Sequence, residues 1–239
     1  MGRHGTIANR KSAQDSRRAA MFTKYARQII VAAKDGGDPD FNPSLRVAID
    51  KAKGIGMPND NINRAIKKGT GELAGESYEE LQFEGYGPSG VAIIVDALTD
   101  NKNRTAAFVR STFDKNGGNL GTPGCVSYMF SRKGVILIEK EDDMDEDEIM
   151  MMALEAGAED MIAHEDHFEI QTEPTELTAV HEAVKEAGFE IAESGVEYIP
   201  SMEANVAEDA VKALNKLINT LEDNDDVQNV YYNCELDEE

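Results

Sequence analysis

The fold class is decided by residues 134–199, which read GVILIEKEDDMDEDEIMMMALEAGAEDMIAHEDHFEIQTEPTELTAVHEAVKEAGFEIAESGVEYI. Short runs of β-branched and aromatic residues alternate here with longer amphipathic stretches, which predicts strands separated by helices. The predicted strands are 134–139, 160–163, 168–172 and 196–199, and the predicted helices are 145–156 and 175–187. This βαββαβ order is typical of a ferredoxin-like α/β sandwich.

The segments on either side of this unit predict a second α/β domain. Before it, strands are expected at 81–86, 91–99 and 125–130, with a helix at 104–116. After it, a helix is expected at 207–221 and a strand at 227–232. The first segment needs that last helix and strand to complete its own sheet, so we expect the 134–199 unit to be inserted into the second domain.

The N-terminal part of the chain has the pattern of a small helical bundle. Apolar residues at spacings of three and four predict one helix with a cap at Ser12 that ends near Lys34. Asn42 followed by Pro43 indicates the start of a second helix, and Pro58 the start of a third. The Gly-rich stretch 69–77 then predicts a hinge.

Together these patterns predict an α+β protein. An N-terminal three-helix domain is followed by two ferredoxin-like α/β sandwich domains, and the last is inserted into the second. The expected bounds are 1–76 for the basic helical domain, 77–131 plus 203–239 for the second domain, and 132–202 for the inserted one.

Composition and charge limit the functions that fit this chain. It has 239 residues, of which 41% are hydrophobic, and no run of eighteen apolar residues that would predict a membrane span. Its two cysteines lack metal-binding spacing, which favours reduced thiols and a cytoplasmic protein. Residues 1–70 hold fourteen Lys/Arg and six Asp/Glu, a net charge of +8, whereas residues 71–239 hold ten and forty, a net charge of −30. This asymmetry predicts a basic module that binds nucleic acid and an acidic body that does not.

The basic residues of this module are the candidate binding site. In the first predicted helix, Arg17, Lys24, Arg27 and Lys34 fall on one side, opposite the apolar face, and we call these four the basic stripe. Such cations neutralise phosphates and release counterions. The competing interpretation is an ordinary solvated face. The predicted nucleic-acid-binding residues are Arg3, His4, Arg10, Lys11, Arg17, Arg18, Lys24, Arg27, Lys34, Arg64, Lys67 and Lys68.

No pattern in the chain indicates catalysis. The GYGPSG stretch at 85–90 has the glycine spacing of a dinucleotide site, but a strand is expected after it, so a hairpin turn is favoured. The acidic run 142–148 precedes a helix, whose N-terminal dipole favours acidic residues. His164 and His167 are more typical of exposed turn residues than of metal ligands. We therefore predict no catalytic residue, no metal and no cofactor.

Short motifs along nearly the whole chain resemble a known family. They are AQD at 13–15, FTK at 22–24, NPSLR at 42–46, AIDKA at 48–52, RAIKKGTG at 64–71, YEE at 78–80, FEGYGPSG at 83–90, TDN at 99–101, NRT at 103–105, GGNLG at 117–121 and SYMF at 127–130. This set is similar to the YebC/PmpR family of regulatory proteins, which includes the mitochondrial translational activator of cytochrome c oxidase. The resemblance implies three domains, the first helical, and a non-enzymatic role in gene expression.

Three functions remain open from the sequence. The first, which we favour, is a DNA-binding transcriptional regulator. The second is a ribosome-associated, rRNA-binding translation factor, which would have structured RNA and ribosomal or transcription proteins as partners. The third is a metal-dependent phosphoryl-transfer enzyme, which would need carboxylates converging on a cleft. Four aromatic residues could stack on RNA bases but are expected to pack in the core: Tyr128, Phe130, Tyr231 and Tyr232.

Overall fold

A computed structural model of the chain describes residues 7–141 and 144–236, with the backbone alone for residues 7–19. The helices are α1 (Ile7–Ala32), α2 (Pro43–Gly54), α3 (Asn59–Gly69), α4 (Lys102–Lys115), α5 (Glu146–Glu155), α6 (Leu177–Glu186) and α7 (Glu208–Glu222). The strands are β1 (Glu79–Tyr86), β2 (Ala92–Thr99), β3 (Asn119–Leu120), β4 (Phe130–Glu139), β5 (Asp160–Ala163), β6 (His167–Thr172), β7 (Ile191–Pro200) and β8 (Val227–Tyr232). None of the helices within the described residues is long and apolar enough to cross a membrane.

The strands form two four-stranded sheets. The first has the order β3-β1-β2-β8 and the second the order β5-β6-β4-β7. Strand β8, close to the C-terminus, pairs antiparallel with β2, and Ile93 faces Tyr232 in that register. The C-terminal segment therefore completes the sheet that begins at β1, and the second sheet is inserted between the two parts. This confirms the predicted α+β fold class, with three N-terminal helices and two α/β sandwich domains.

The described chain separates into two compact units. One comprises Arg17–Ser131 and the chain from Ile199 onward, and the other comprises Arg132–Tyr198 together with residues 7–16 of α1. The rest of α1, helices α2 and α3 and the first sheet thus belong to the same unit. The separate bounds 1–76, 77–131 plus 203–239, and 132–202 stay a prediction.

Each sheet has its own apolar core. In the first unit, Ile93 and Val95 of β2 and the preceding Val91 form a cluster with Phe113 of α4 and Leu214 of α7. In the second unit, the β4 and β6 side chains pack against α5 and α6, and the core includes Ile136, Ile138, Ile149, Phe168, Ile170 and Val180. Alternate residues of these strands supply the core, as the period of two along a strand requires.

The strand predicted at 125–130 is wrong. Residues Ser127–Met129 form a 3₁₀ turn, and the strand that pairs with β1 on the side away from β2 is the two-residue β3. The reason lies in Glu84, a buried carboxylate of β1 that accepts hydrogen bonds from the backbone N–H groups of Gly124 (2.7 Å), Val126 (2.9 Å) and Ser127 (2.9 Å). Burial alone would raise the pKa of Glu84, but these donors outweigh it and lower the pKa. Because the loop N–H groups serve this carboxylate, they are not part of a ladder.

The helix boundaries agree with the sequence for α2 and α3 but not for α1. Asn42 caps α2, since its side-chain oxygen accepts a hydrogen bond from the Leu45 N–H at 3.0 Å. Pro58 precedes α3 and Gly69 ends it, as expected. Helix α1 begins at Ile7 rather than at Ser12, so Ser12 is not its cap.

A substitution at Gly69 is expected to disturb the bundle. A Cβ added there would meet the backbone oxygen of Ile30 and would lie 2.6 Å from Ala33 Cβ. Both neighbours lie where the end of α1 passes the end of α3, and neither is the flexible end of a side chain. We therefore expect Gly69→Ala to lower the free energy of unfolding by about 1–3 kcal/mol, measured by urea denaturation.

The matched control is Gly54→Ala at the end of α2, where an added Cβ meets no atom within 4 Å. It should leave stability within about 0.5 kcal/mol of the wild type. Equal losses of stability in the two variants would contradict the close packing of α3 on α1.

The cysteines behave as reduced thiols in this fold. Cys234 is buried and Cys125 is half-buried, and both are free. Burial raises the pKa of the Cys234 thiol to about 11, so the thiolate is scarce at neutral pH. Cys234 therefore packs as a small hydrophobic residue in the core of the first unit.

Candidate nucleic-acid interface

The structure describes the side chains of half of the predicted nucleic-acid-binding residues. These are Lys24, Arg27, Lys34, Arg64, Lys67 and Lys68. The remaining predicted residues lie outside the described side chains, and they are Arg3, His4, Arg10, Lys11, Arg17 and Arg18. For those six, nucleic-acid binding stays a prediction.

Arg27 of the basic stripe is neither solvated nor free to meet a phosphate in this structure. Its Nη1 lies 2.7 Å from Oδ1 of Asp226, and only 12% of the Arg27 side chain is exposed. The same nitrogen donates to the backbone oxygens of Asp225 (2.6 Å) and Leu98 (3.1 Å). Arg27 thus joins the helical segment to the first sheet within one compact unit.

Two further stripe residues also reach the first sheet and its flanking segments. The Nζ of Lys24 donates to the backbone oxygen of Glu222 at 2.6 Å, and the Nζ of Lys34 donates to that of Tyr78 at 2.7 Å. These backbone acceptors could not be identified from helical periodicity, because they lie far along the chain. The described part of the stripe is therefore a packing surface, with Lys34 still exposed at its edge.

Asp226 is the centre of a buried polar network. Its carboxylate accepts hydrogen bonds from Arg104 Nη2 (2.8 Å to Oδ2), Thr105 Oγ1 (2.8 Å) and Thr99 Oγ1 (3.3 Å) in addition to Arg27. Burial by itself would raise the pKa of Asp226, but the hydrogen bonds from Arg104, Thr105 and Arg27 outweigh it and lower the pKa. The carboxylate is therefore held ionised between two arginines.

The motif at 101–105 serves this network and the start of α4. The Asn101 side chain caps α4 by accepting a hydrogen bond from the Arg104 N–H at 3.1 Å. The Arg104 guanidinium also pairs with Asp100 at 2.7 Å. A structural role thus accounts for Asn101 and Arg104.

The cations of α3 differ from those of α1. Arg64 and Lys67 are exposed and Lys68 is half-buried, and we call these three residues the α3 cluster. Among the described residues none of their charged groups has an ion pair or hydrogen bond. Lys67 and Lys68 lie in the last turn of the helix, where a cation is favoured by the helix dipole.

A cleft of about 330 Å³ adjoins the α3 cluster. Arg64 and Lys68 line it together with Arg27, and Phe22 and Tyr78 supply aromatic walls. No carboxylate is among the described lining residues. The Arg27 guanidinium carbon lies 5.1 Å from the centre of the Tyr78 ring, within the range of a cation–π contact. The cleft therefore presents positive charge beside apolar surface, a combination that suits a polyanion with aromatic bases.

Comparison with known proteins places the sequence motifs and this architecture in one family. Residues 3–72 match the N-terminal domain of TACO1/YebC proteins, and residues 78–234 match the second and third domain. The chain belongs to the TACO1/YebC family. The family resemblance seen in the sequence is thereby confirmed.

Relatives of this TACO1/YebC chain match it over nearly its full length. A probable transcriptional regulatory protein of Clostridioides difficile is 55% identical over 239 residues, covering 99% of this chain and all of the relative. One from Listeria monocytogenes is 52% identical over 231 residues, covering 96% of each chain. The crystal structure of a conserved hypothetical protein from Aquifex aeolicus is 46% identical, with a TM-score of 0.86, covering 94% of this chain and 93% of that one.

The four aromatic residues considered for base stacking are only partly in the core. Phe130 and Tyr231 are buried, whereas Tyr128 is 68% exposed. The core-packing expectation is thus wrong for Tyr128. Its position in a 3₁₀ turn, held by the Glu84 loop, accounts for the exposure.

The prediction that His164 and His167 are exposed is also wrong. Only 2% of the His167 side chain and 14% of the His164 side chain are accessible. Both residues lie where β5 turns into β6, and the His164 N–H donates to the His167 carbonyl at 2.9 Å. The sequence predicts a turn between two strands here, but it does not predict that these two side chains are buried.

Proposed function

We propose that this protein is a non-enzymatic, nucleic-acid-binding regulator of gene expression, and that its target is duplex DNA. The relatives from Clostridioides difficile and Listeria monocytogenes carry the name probable transcriptional regulatory protein, which supports a regulatory role. Such a role would be carried out in the cytoplasm, with nucleic acid as the principal partner and no membrane.

The α3 cluster is the observation that carries this proposal. Arg64, Lys67 and Lys68 lie on one helix, and among the described residues no carboxylate neutralises them. They belong to residues 1–70, whose net charge is +8, whereas residues 71–239 have a net charge of −30. Free cations of this kind neutralise phosphates, and the released counterions supply most sequence-independent affinity for nucleic acid.

The stripe residues contribute less in this proposal than the sequence suggested. Arg27 is held by Asp226, so using it for a phosphate would require breaking a largely buried ion pair. Arg27 and Tyr78 instead line the cleft beside the α3 cluster. The proposal also includes the six predicted basic residues whose side chains lie outside the described part of the structure.

The test is a triple variant of the full chain, Arg64→Ala, Lys67→Ala and Lys68→Ala. Binding to labelled duplex DNA is measured by fluorescence anisotropy at several salt concentrations. The slope of log affinity against log salt is negative, and each lost phosphate contact makes it shallower by about 0.9. We therefore expect the magnitude of the slope to decrease by about 2.7 and the affinity at low salt to drop.

The matched control removes the same charge from the acidic body, through Arg110→Ala, Lys212→Ala and Lys216→Ala. All three of these residues are exposed on α4 and α7. The control should retain the wild-type slope, because it changes the net charge without touching the α3 cluster. An unchanged slope in the α3 variant, with its helical circular dichroism preserved, would show that the cluster is a solvated face.

A ribosome-associated translation factor is the second candidate function, and the exposed Tyr128 favours it. An accessible aromatic ring can stack on an unpaired RNA base, which duplex DNA does not offer. Structured RNA is therefore included in the same titration. Tighter binding to RNA than to duplex DNA, with a loss of RNA affinity in Tyr128→Ala, would favour this candidate over the first.

A further inference from the structure

The hairpin of β5 and β6 brings two imidazoles and a carboxylate together. The His164 and His167 rings are stacked, with centroids 4.3 Å apart and planes inclined by 16°. The Oε2 of Glu169 lies 3.6 Å from Nε2 of His164. One donor atom from each of the three residues lies within 4.8 Å of the other two. These are the side-chain types that bind divalent transition metals.

The strand register explains this convergence. Residues 167 and 169 are two positions apart in β6, so their side chains lie on the same face of the sheet. In the antiparallel pairing, Ala163 faces Phe168, which places His164 opposite His167 across the turn. The core residues Phe168 and Ile170 occupy the other face. The cluster is therefore built by regular hairpin geometry.

Neighbouring residues already orient two of the three donors. Asp166 Oδ1 lies 2.8 Å from Nδ1 of His167, and Gln171 Nε2 donates to Glu169 Oε1 at 2.8 Å. This leaves Nε2 of His167 and Oε2 of Glu169 facing the cluster. A carboxylate that holds one nitrogen of a histidine while the other nitrogen binds metal is a common outer-shell arrangement.

The unused His167 nitrogen points to a ligand. Nε2 of His167 is buried and has no hydrogen-bond partner, and 2% of the side chain is accessible. The Glu169 side chain is 7% exposed, and among the described residues its partners are Gln171 and His164. A buried imidazole nitrogen without a partner is unfavourable, and a cation shared with the neighbouring carboxylate would satisfy it.

We propose that His164, His167 and Glu169 bind one divalent transition-metal ion of the Zn²⁺ type. Two imidazole nitrogens and one carboxylate oxygen suit Zn²⁺, whereas Ca²⁺ and Mg²⁺ prefer oxygen ligands alone. Tetrahedral Zn²⁺ separates its nitrogen and oxygen ligands by about 3.3 Å, so the donors need to approach one another by only small rotations. A water molecule completes the fourth position. The ion would tie the tip of the hairpin together.

The test is a Zn²⁺ titration of the full-length protein after chelator treatment, with a chromophoric chelator as competitor. We expect one Zn²⁺ per chain. His167→Gln and Glu169→Gln should each remove this stoichiometric binding. Asp166→Asn should weaken it about 10–100-fold, because the outer-shell partner of His167 is lost.

Glu165→Gln is the matched control, since Glu165 is an exposed carboxylate on the same turn that is not among the donors. Its Zn²⁺ affinity should equal that of the wild type. Histidine-ring NMR of the wild-type protein gives a second measurement that does not depend on the variants folding. Zn²⁺ should shift the rings of two of the four histidines, and these should be His164 and His167. Failure to bind one equivalent, or binding that survives His167→Gln, would overturn the proposal.

Discussion

Deletion of residues 206–239 is expected to unfold the first sheet while the inserted sandwich stays folded. The deleted segment contains α7 and β8. Leu214, Leu217 and Leu221 of α7 are fully buried in the core of the first unit. Strand β8 is the neighbour of β2, so its loss also exposes the backbone groups of a central strand. No remaining element can replace both losses.

Limited proteolysis with mass spectrometry is the direct measurement. In the truncated protein, residues 79–131 should be digested throughout. A resistant fragment should remain near Arg132–Tyr198, since that unit has its own core. A point variant provides a milder version, because Leu217→Ala should lower the free energy of unfolding by about 2–5 kcal/mol. Exposed Lys216→Ala on the same helix is its control. A deleted chain that resists digestion over residues 79–131 would contradict the inserted topology.

This topology could be predicted from the sequence, because the topology depends on local periodicity and on the number of helices and strands. Alternating strands and amphipathic helices were visible throughout, and the first sheet was recognisably incomplete without the C-terminal helix and strand. The error at 125–130 has a physical origin. The apolar pattern there resembles a strand, but the backbone donors of that loop bind the side chain of Glu84, which lies about 40 residues earlier.

The candidate sites were less predictable, because their character depends on distant partners. The basic stripe has a helical period, yet Arg27 is neutralised by Asp226, 199 residues further along the chain. The α3 cluster also consists of Arg and Lys residues but has, among the described residues, no such partner. The histidine cluster depends on which side of a hairpin is buried, and the amino-acid sequence of the turn does not indicate this. Periodicity predicts which residues share a face, but not what covers that face.

Asp226→Ala is expected to be among the most destabilising single substitutions in the first unit. It would remove the carboxylate partner of Arg27, whose side chain is only 12% exposed. It would also remove the acceptor of Arg104 and Thr105. Breaking a buried pair by removing one partner costs about 3–5 kcal/mol, and the lower end applies because Arg104 is half exposed. Urea denaturation of the variant measures this loss. The neighbouring Asp225 is exposed, and Asp225→Ala should leave stability nearly unchanged.

The pH dependence of this effect identifies the ionised carboxylate as its source. The pKa of Asp226 is lowered in the folded protein, so its stabilising contribution is complete above the unfolded value of about 3.9. The contribution is lost as the pH falls through the lower folded pKa, because the carboxyl is then protonated in both states. The isosteric Asp226→Asn lacks this titration. The difference in unfolding free energy between wild type and Asp226→Asn should therefore be constant from pH 7 down to about pH 5 and shrink below pH 4. A difference that stays constant through pH 3 would mean that shape, rather than charge, makes Asp226 necessary.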